Sequence, residues 1–88
     1  MRIVWDDLKR RANIDKHGFD FANVAFFDWA NAVVEVSPRS PAGRRRIKAV
    51  GRYSDTVAVV IYADLGREAI SIISSRKASA RERRRLNA

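Results

Sequence analysis

The sequence predicts one α+β domain, residues 1–88, with two N-terminal helices on one face of a four- to five-stranded, mainly antiparallel sheet and a basic C-terminal helix. Three observations favour this fold. A chain of 88 residues is long enough for one modest core and too short for two. Helix start and stop signals lie in the first third, and β-branched or alternating runs fill most of the rest. The links between those runs are short, which favours antiparallel neighbours.

The first third of the chain predicts a short strand and two helices. Residues 1–5 are mostly apolar, as in a strand. Asp6 is predicted to cap a helix that runs to about His17, since acidic residues begin it, basic residues end it, and Gly18 supplies a left-handed stop. A second helix is predicted from Asp20 until it fades around residues 28–31. Its apolar stripe consists of Phe21, Val24, Ala25 and Phe27.

The rest of the chain predicts four strands and a charged C-terminal segment. Alternation or β-branched residues assign the strands to residues 32–36, 44–53, 56–62 and 69–75. Turn-forming residues predict a loop over 37–43 and a hairpin turn over 64–67. Residues 76–86 predict a helix, or a tail that becomes helical on a partner. Its cations repel one another and only Glu82 offsets them, so we expect an acidic partner surface to order it.

Composition narrows the class of protein. Lys and Arg number 18 against 10 acidic residues, a formal charge of +8, which indicates nucleic acid, an anionic surface or an acidic protein as partner. The absence of cysteine excludes disulfides, thiolate zinc sites and iron–sulfur clusters. No apolar run approaches the ~20 residues of a membrane span, and the N-terminus lacks a secretory signal, so we expect a cytoplasmic protein without a membrane partner.

Arginine dominates the basic residues. Of the cations, 14 are Arg and 4 are Lys, and the arginine fork grips phosphate oxygens in pairs. The arginines concentrate at residues 44–46 and 76–85, which predicts a basic sheet face that holds single-stranded RNA. The alternative is a solvated face that keeps a small protein soluble. The clustered aromatic residues are expected to pack in the core rather than stack on bases: Trp5, Phe21, Phe26, Phe27 and Trp29.

The residues offer few routes to catalysis. The carboxylates are scattered, mostly at caps and turns, and none of their spacings suggests a two-metal site. No Gly-rich phosphate loop or nucleophile elbow is present, and no cofactor is expected. What remains is chemistry assisted by cations, in which the 2′-hydroxyl of RNA attacks the adjacent phosphate. Composition permits this mechanism without singling it out.

Several spaced motifs resemble one protein family over nearly the whole chain. The opening run is Trp5-Asp6-x2-Lys9-x3-Asn13-x2-Lys16-His17-Gly18-x2-Phe21. The later matches are Phe27-Asp28, Arg46-x4-Gly51, Ile72-Ile73-Ser74-x-Arg76-x-Ala78 and Glu82-Arg83. In this order they resemble the BrnT family, ribonuclease toxins of bacterial type II toxin–antitoxin systems whose fold is similar to the RelE toxins.

The resemblance implies a function and partners. The protein would cleave messenger RNA during translation without a metal ion. Its neutralising partner would be a BrnA-like antitoxin with a ribbon-helix-helix domain, and the complex would contact operator DNA through that antitoxin. Two alternatives stay open from the residues alone. The first is a basic module that binds RNA or DNA without cutting it, and the second is a structural partner of an acidic protein.

The resemblance also suggests site residues. Arg46 and Arg76 are expected to stabilise transition-state charge, and Lys9 to contact RNA or transfer a proton. His17 is a weaker catalytic candidate, because its place before a glycine stop equally suits a helix end. Asn13 and Trp5 are expected to lock the first helix onto the sheet. The predicted RNA-binding residues are Lys16, Arg44, Lys48, Lys77 and Arg83.

Three positions depart from the family pattern. Arg45 stands where an acidic residue is usual, Ser71 where an arginine is common, and Leu86 where an aromatic residue is usual. We therefore expect reduced or altered activity with an unchanged fold. Arg46→Ala and Arg76→Ala are each expected to relieve toxicity while leaving thermal stability nearly unchanged.

Overall fold

The structure, a computed structural model, describes residues 2–36 and 45–87. The predicted loop over 37–43 and the predicted RNA-binding residue Arg44 therefore lie outside the described residues. The strands are β1 (Arg2–Trp5), β2 (Val33–Val36), β3 (Arg46–Tyr53), β4 (Thr56–Leu65) and β5 (Ala69–Lys77). The helices are α1 (Asp7–His17), two 3₁₀ segments (Phe21–Phe26 and Trp29–Asn31) and α2 (Ala80–Leu86).

The five strands form one mixed sheet in the order β1-β5-β4-β3-β2. The predicted α+β class and the upper strand count are confirmed. Pairs β2–β3, β3–β4 and β4–β5 are antiparallel, but β1 pairs with β5 in parallel. The mainly antiparallel prediction is thus correct only in part, because the β1–β5 pairing joins segments far apart in sequence and leaves no local signal.

Helix α1 begins and ends as its sequence predicts. The Asp6 carboxylate accepts a hydrogen bond from the backbone N–H of Leu8 at 2.8 Å. Gly18 adopts the left-handed conformation with φ 73° and donates its N–H to the carbonyl of Ile14 at 2.8 Å. Asn13 is the only buried residue of the helix. Asn13 therefore docks α1 onto the rest of the molecule through its side-chain amide, which donates to the carbonyls of Phe19 and Ser75.

The predicted second α-helix is wrong: residues 21–31 form two short 3₁₀ segments. Phe21, Val24 and Phe27 follow one another at intervals of three and are 0%, 3% and 4% exposed. A 3₁₀ helix has three residues per turn, so this spacing places all three side chains on one face. The same geometry turns Phe26 outward, where it is 76% exposed, against the prediction that it belongs to the core.

The other aromatic predictions are mixed. Trp29 is half-buried and meets Phe27 edge to face, with ring centroids 4.9 Å apart. Its indole N–H donates to the carbonyl of Val24 at 2.9 Å. Trp5, at 36% exposed, covers less of the core than predicted. Gly51 lies against the Phe27 ring. A Cβ at position 51 would come within 2.7 Å of that ring, so the close contact requires glycine.

Apolar side chains fill both faces of the sheet. The larger cluster lies under the 3₁₀ segments and contains Phe21, Val24, Phe27, Ala49, Ala58, Val60, Ile70 and Ile72. The smaller cluster, on the face that carries α2, contains Val50, Val57, Val59 and Ala78, with Ile61 and Leu86 packed against it. Alternation along the central strands supplies both faces. We call the second one the α2 face.

The C-terminal helix starts later than predicted. Strand β5 extends through Arg76 and Lys77, and α2 begins only at Ala80. Ser79 and Glu82 form a capping box, in which each side chain bonds the backbone N–H of the other residue. With Leu86 packed on the smaller cluster, α2 has anchors within its own chain, which the prediction of a partner-ordered segment did not include. None of the described helices has the length and apolar character needed to cross a membrane.

Candidate active site

Three of the predicted site residues share the α2 face of the sheet. Val50 belongs to the cluster on that face, and alternation along β3 puts Arg46 and Lys48 on the same side. Arg76 pairs across the sheet with Val59, another member of that cluster. The structure therefore brings Arg46, Lys48 and Arg76 to one surface, the cationic face.

Arg46 and Arg76 share the cationic face without sharing a contact. Arg46 is level with Ala63 of β4, whereas Arg76 is level with Val59 of the same strand. Arg46 and Arg76 are therefore separated by four residues along the strand direction, about 13 Å, and by two strand spacings across the sheet, about 10 Å. Lys48 lies between them in the register. The two guanidinium groups therefore do not converge on one point of the face.

Arg76 is held by the carboxylate of Glu82. Its Nη1 and Nη2 donate to Oε1 and Oε2 of Glu82 at 2.8 and 2.9 Å. The side chain of Glu82 is 8% exposed and that of Arg76 is 30% exposed. The Arg76 guanidinium, the Lys48 ammonium and hydrogen bonds from Ser79 hold the pKa of Glu82 well below its usual range, against the opposing effect of burial. Glu82 therefore stays ionised within the cationic face.

The ion pairs continue across the sheet to β2. The Nζ of Lys48 lies 2.7 Å from Glu82 Oε2 and 4.0 Å from Glu35 Oε2. Glu35 in turn pairs with Arg85 of α2. The resulting network holds three cations against two anions: Arg76, Lys48, Arg85, Glu82 and Glu35.

Sequence reasoning missed the two acids of this network. Glu82 was considered as an offset to neighbouring cations and as part of the Glu82-Arg83 family motif, without a role in the site, and Glu35 had no assigned role. The capping-box pattern Ser79-x-x-Glu82 was the available signal, because it marks a helix start. That signal would also have ended β5 after Arg76 and placed Glu82 beside the strand end.

Three predicted site residues lie on α1, on the stripe that Asn13 docks against β5. Lys9, Lys16 and His17 stand at −4, +3 and +4 from Asn13, positions that share one side of a helix. The Asn13 side chain donates to the Ser75 carbonyl at 2.7 Å and accepts from the Ser75 N–H at 3.2 Å.

The pairing of β1 with β5 ends at Trp5 and Ile72. Beyond that point the Asn13 side chain hydrogen-bonds the exposed backbone edge of β5. The structural role predicted for Asn13 is therefore observed. Its partner Ser75 directly precedes Arg76 in the chain. Lys9 and Lys16 are exposed and His17 is half-buried.

The remaining predicted RNA-binding residues are dispersed. Lys77 is exposed and pairs with Ala58, which belongs to the larger cluster, so it lies on the opposite sheet face from Arg76. Arg83 is exposed on α2. Arg46 forms no ion pair with any residue of the ranges 2–36 and 45–87. Lys77 thus points away from the face that carries Arg46, Lys48 and Arg76.

The three departures from the family pattern have clear positions. Arg45 is exposed immediately before β3, and Ser71 is half-buried in β5 beside Ala63. Leu86 packs against the cluster of the α2 face and so anchors the helix. Their predicted effect on activity remains a prediction.

These features define a class: a small basic α+β protein with one arginine-bearing sheet face organised around an internal carboxylate. The family model described as ribonuclease toxin, BrnT, of type II toxin–antitoxin system matches residues 5–82, and the chain belongs to this family. The crystal structure of the Brucella abortus ribonuclease toxin BrnT, determined at 1.1 Å, is similar, with a TM-score of 0.69 and 40% identity. The match covers 90% of this chain and 97% of that one. No curated relative matches significantly. The resemblance inferred from the motifs is confirmed.

Proposed function

We propose that this BrnT-family chain is a metal-independent endoribonuclease that cleaves mRNA in the cytoplasm and so blocks translation. The observation that supports it best is the grouping of Arg46, Lys48 and Arg76 on one sheet face in a chain of a ribonuclease toxin family. A cationic sheet face suits single-stranded RNA, whose phosphates and 2′-hydroxyls are accessible.

The reaction follows from the chemistry of RNA. The 2′-oxygen attacks the adjacent phosphorus, the bond to the 5′-oxygen breaks, and the products carry a 2′,3′-cyclic phosphate and a 5′-hydroxyl. Negative charge builds on the phosphate oxygens in the transition state, and fixed cations stabilise it. Arg76 takes this role at the reacting phosphate, Lys48 adds positive charge beside it, and Arg46 holds a neighbouring phosphate.

Two protons must move, one from the 2′-hydroxyl and one to the leaving 5′-oxygen. Helix α1 docks beside the end of β5 that carries Arg76, so its stripe supplies the candidates. Lys9 and His17 are proposed for proton transfer, and Lys16 for RNA contact. The carboxylates of the network, Glu35 and Glu82, already accept from cations, which favours a reaction without a metal ion.

The partner follows from the same family. We propose that a BrnA-like ribbon-helix-helix antitoxin neutralises the chain and carries the complex to operator DNA. An antitoxin that covers the cationic face with acidic residues would shield Arg46 and Arg83, both exposed. Co-expression of the neighbouring gene product is then expected to restore growth, and persistent growth arrest would count against this partner.

The test uses a labelled mRNA incubated with purified protein in EDTA. We expect fragments ending in 2′,3′-cyclic phosphate, and no cleavage at a site whose 2′-hydroxyl is replaced by hydrogen. Arg76→Ala is expected to reduce the fragments strongly, whereas Arg10→Ala, which alters an arginine of α1 outside the proposed site, retains them. Binding of the RNA without products would instead support the non-catalytic module. Cleavage only after adding a divalent metal would contradict metal independence.

A further inference from the structure

A carboxylate at the centre of an RNA-binding face repels phosphate, so the burial of Glu82 there needs a reason. Each of its oxygens accepts two hydrogen bonds or ion pairs. Oε1 accepts from Arg76 Nη1 at 2.8 Å and from the Ser79 backbone N–H at 2.8 Å. Oε2 accepts from Arg76 Nη2 at 2.9 Å and lies 2.7 Å from Lys48 Nζ. A carboxylate has about four acceptor directions, so Glu82 is fully used.

The contact with Glu82 fixes the orientation of Arg76. A guanidinium has five N–H donors in a rigid plane, and two of them point at Glu82. A third, on Nη1, donates to the carbonyl of Lys77 at 3.3 Å. The Nε–H and the second N–H of Nη2 have no partner among the residues that the structure describes. These two donors lie side by side and form the fork that grips two phosphate oxygens.

Glu82 also brings two cations together. Lys48 belongs to β3 and Arg76 to β5, strands separated by β4. Both place a nitrogen within 2.9 Å of Glu82 Oε2. Without the intervening carboxylate the two positive charges would repel and their side chains would separate. One buried anion therefore concentrates two cations at a single point of the face.

We propose that Glu82 is a positioning residue of the ribonuclease, which holds Arg76 and Lys48 so that the outer fork of Arg76 meets the reacting phosphate. The inference rests on the proposed function. Glu82 touches neither RNA nor any reacting atom, and its effect passes through the two cations. Loss of the carboxylate lowers turnover more than RNA affinity, because a misplaced arginine still attracts phosphate but no longer matches the transition state.

The test compares Glu82→Gln with Asp20→Asn in steady-state cleavage of a labelled RNA oligonucleotide. Asp20 is the matched control, because it also caps a helical segment and also holds an arginine through both oxygens. Assays run at a temperature at which circular dichroism shows each variant folded. We expect Glu82→Gln to lower kcat about 10- to 100-fold with KM unchanged or lower, since a negative charge is removed. Asp20→Asn is expected to keep kcat within about twofold.

Several outcomes would overturn the proposal. These are an unchanged kcat in Glu82→Gln, an equal loss of kcat in both variants, or a rise in KM alone. If Glu82→Gln does not fold, Glu82→Asp is measured instead. The aspartate keeps the negative charge, but its side chain is one methylene shorter and cannot reach both cations. A wild-type kcat in Glu82→Asp would refute the positioning role. Cleavage by the wild-type protein is measured first. Its absence overturns the proposed function and this inference together, whereas wild-type cleavage with an active Glu82→Gln overturns only the inference.

Discussion

Two arginine–carboxylate pairs in this chain share one local design, and they differ in the charges around them. Arg10 donates to both oxygens of Asp20 at 2.7 and 2.9 Å, and Arg76 donates to both oxygens of Glu82 at 2.8 and 2.9 Å. Each carboxylate also accepts a backbone N–H at the start of a helical segment. The first pair joins α1 to the 3₁₀ region, and the second joins β5 to α2.

The two pairs differ in the balance of charge around them and in the burial of their carboxylates. Around Arg10 the charges balance, because Asp7 pairs with both Arg10 and Arg11 at 3.4 Å, giving two cations and two anions with Asp20. Around Glu82 three cations meet two anions. The Glu82 side chain is also more buried, 8% exposed against 28% for Asp20. A balanced group serves to hold the fold, whereas an excess of partly exposed positive charge leaves attraction for a further anion.

The largest expected difference comes from truncating each arginine. Arg76→Ala is expected to lower the cleavage rate about 10²- to 10³-fold, because a fixed donor at the transition state is lost. The same change leaves Glu82 with fewer donors and costs about 1–3 kcal/mol of unfolding free energy, which replaces the sequence-based expectation of nearly unchanged stability. Arg10→Ala is expected to reduce stability while cleavage persists. Urea unfolding and RNA cleavage on both variants check this, and equal loss of cleavage would remove the distinction.

The excess charge can be tested at Lys48. Lys48→Met keeps much of the side-chain length and removes one cation from the unbalanced group. We expect about a tenfold loss of kcat/KM and a shallower salt dependence of RNA binding, by about 0.7 in the log–log slope for one lost phosphate contact. The control is Arg11→Met in the balanced group, with an unchanged slope expected. Fluorescence anisotropy across a salt series measures both, and identical slopes would contradict a phosphate contact at Lys48.

Acid should weaken both pairs. The Arg10 guanidinium and the Ala22 N–H lower the pKa of Asp20 from its ordinary 3.8 to about 2. A carboxyl whose pKa is lower in the folded state adds stability above its unfolded pKa and loses it as pH falls through the folded value. The Asp20 contribution is therefore lost between about pH 4 and about pH 2. Glu82, whose pKa is also lowered, extends the loss further into acid.

The measurement is the urea midpoint of the wild type and of Asp20→Asn as pH falls over that range. The wild-type midpoint is expected to drop more steeply than that of the variant. Parallel curves would mean that Arg10 does not stabilise the ionised form of Asp20.

The smallest expected effect concerns the cap of α2. Ser79→Ala removes the hydroxyl that accepts the Glu82 N–H at 3.2 Å and leaves the contact between Glu82 and Arg76 in place. We expect a loss of about 1 kcal/mol of unfolding free energy, similar to Asp6→Ala at the start of α1. Cleavage at a temperature where the protein is folded should change little. A large drop in kcat would mean that helix order itself, and not the carboxylate, sets the rate.

Local signals predicted the parts of the fold that local forces determine. Asp6 and Gly18 fixed the ends of α1, and the β-branched run of β4 was recognised, although the strand continues to Leu65. The second helix was misread because Phe21, Val24, Ala25 and Phe27 were assigned to an α-helical stripe, whereas the buried residues among them recur at intervals of three.

Local signals did not determine how the candidate site residues lie relative to one another. The expected basic sheet face does carry both Arg46 and Arg76, although Arg76 was assigned to the C-terminal helix and lies instead in β5. Their separation within that face depends on register, which short motifs do not specify. The partner of Arg76 depends on where α2 folds back onto the sheet, and only the pattern from Ser79 to Glu82 hinted at it.

The parallel pairing of β1 with β5 has a consequence for the order of synthesis. Arg2–Trp5 leaves the ribosome before the other four strands, yet its hydrogen-bonding partners are residues 69–72. In the nascent chain β1 therefore stays unpaired until residues 69–72 have emerged, and contacts between such distant segments form slowly. Glu82 is translated later still. During translation of the segment before β5, the polypeptide therefore lacks both the β1–β5 pairing and the Glu82 carboxylate that holds Arg76 and Lys48 together.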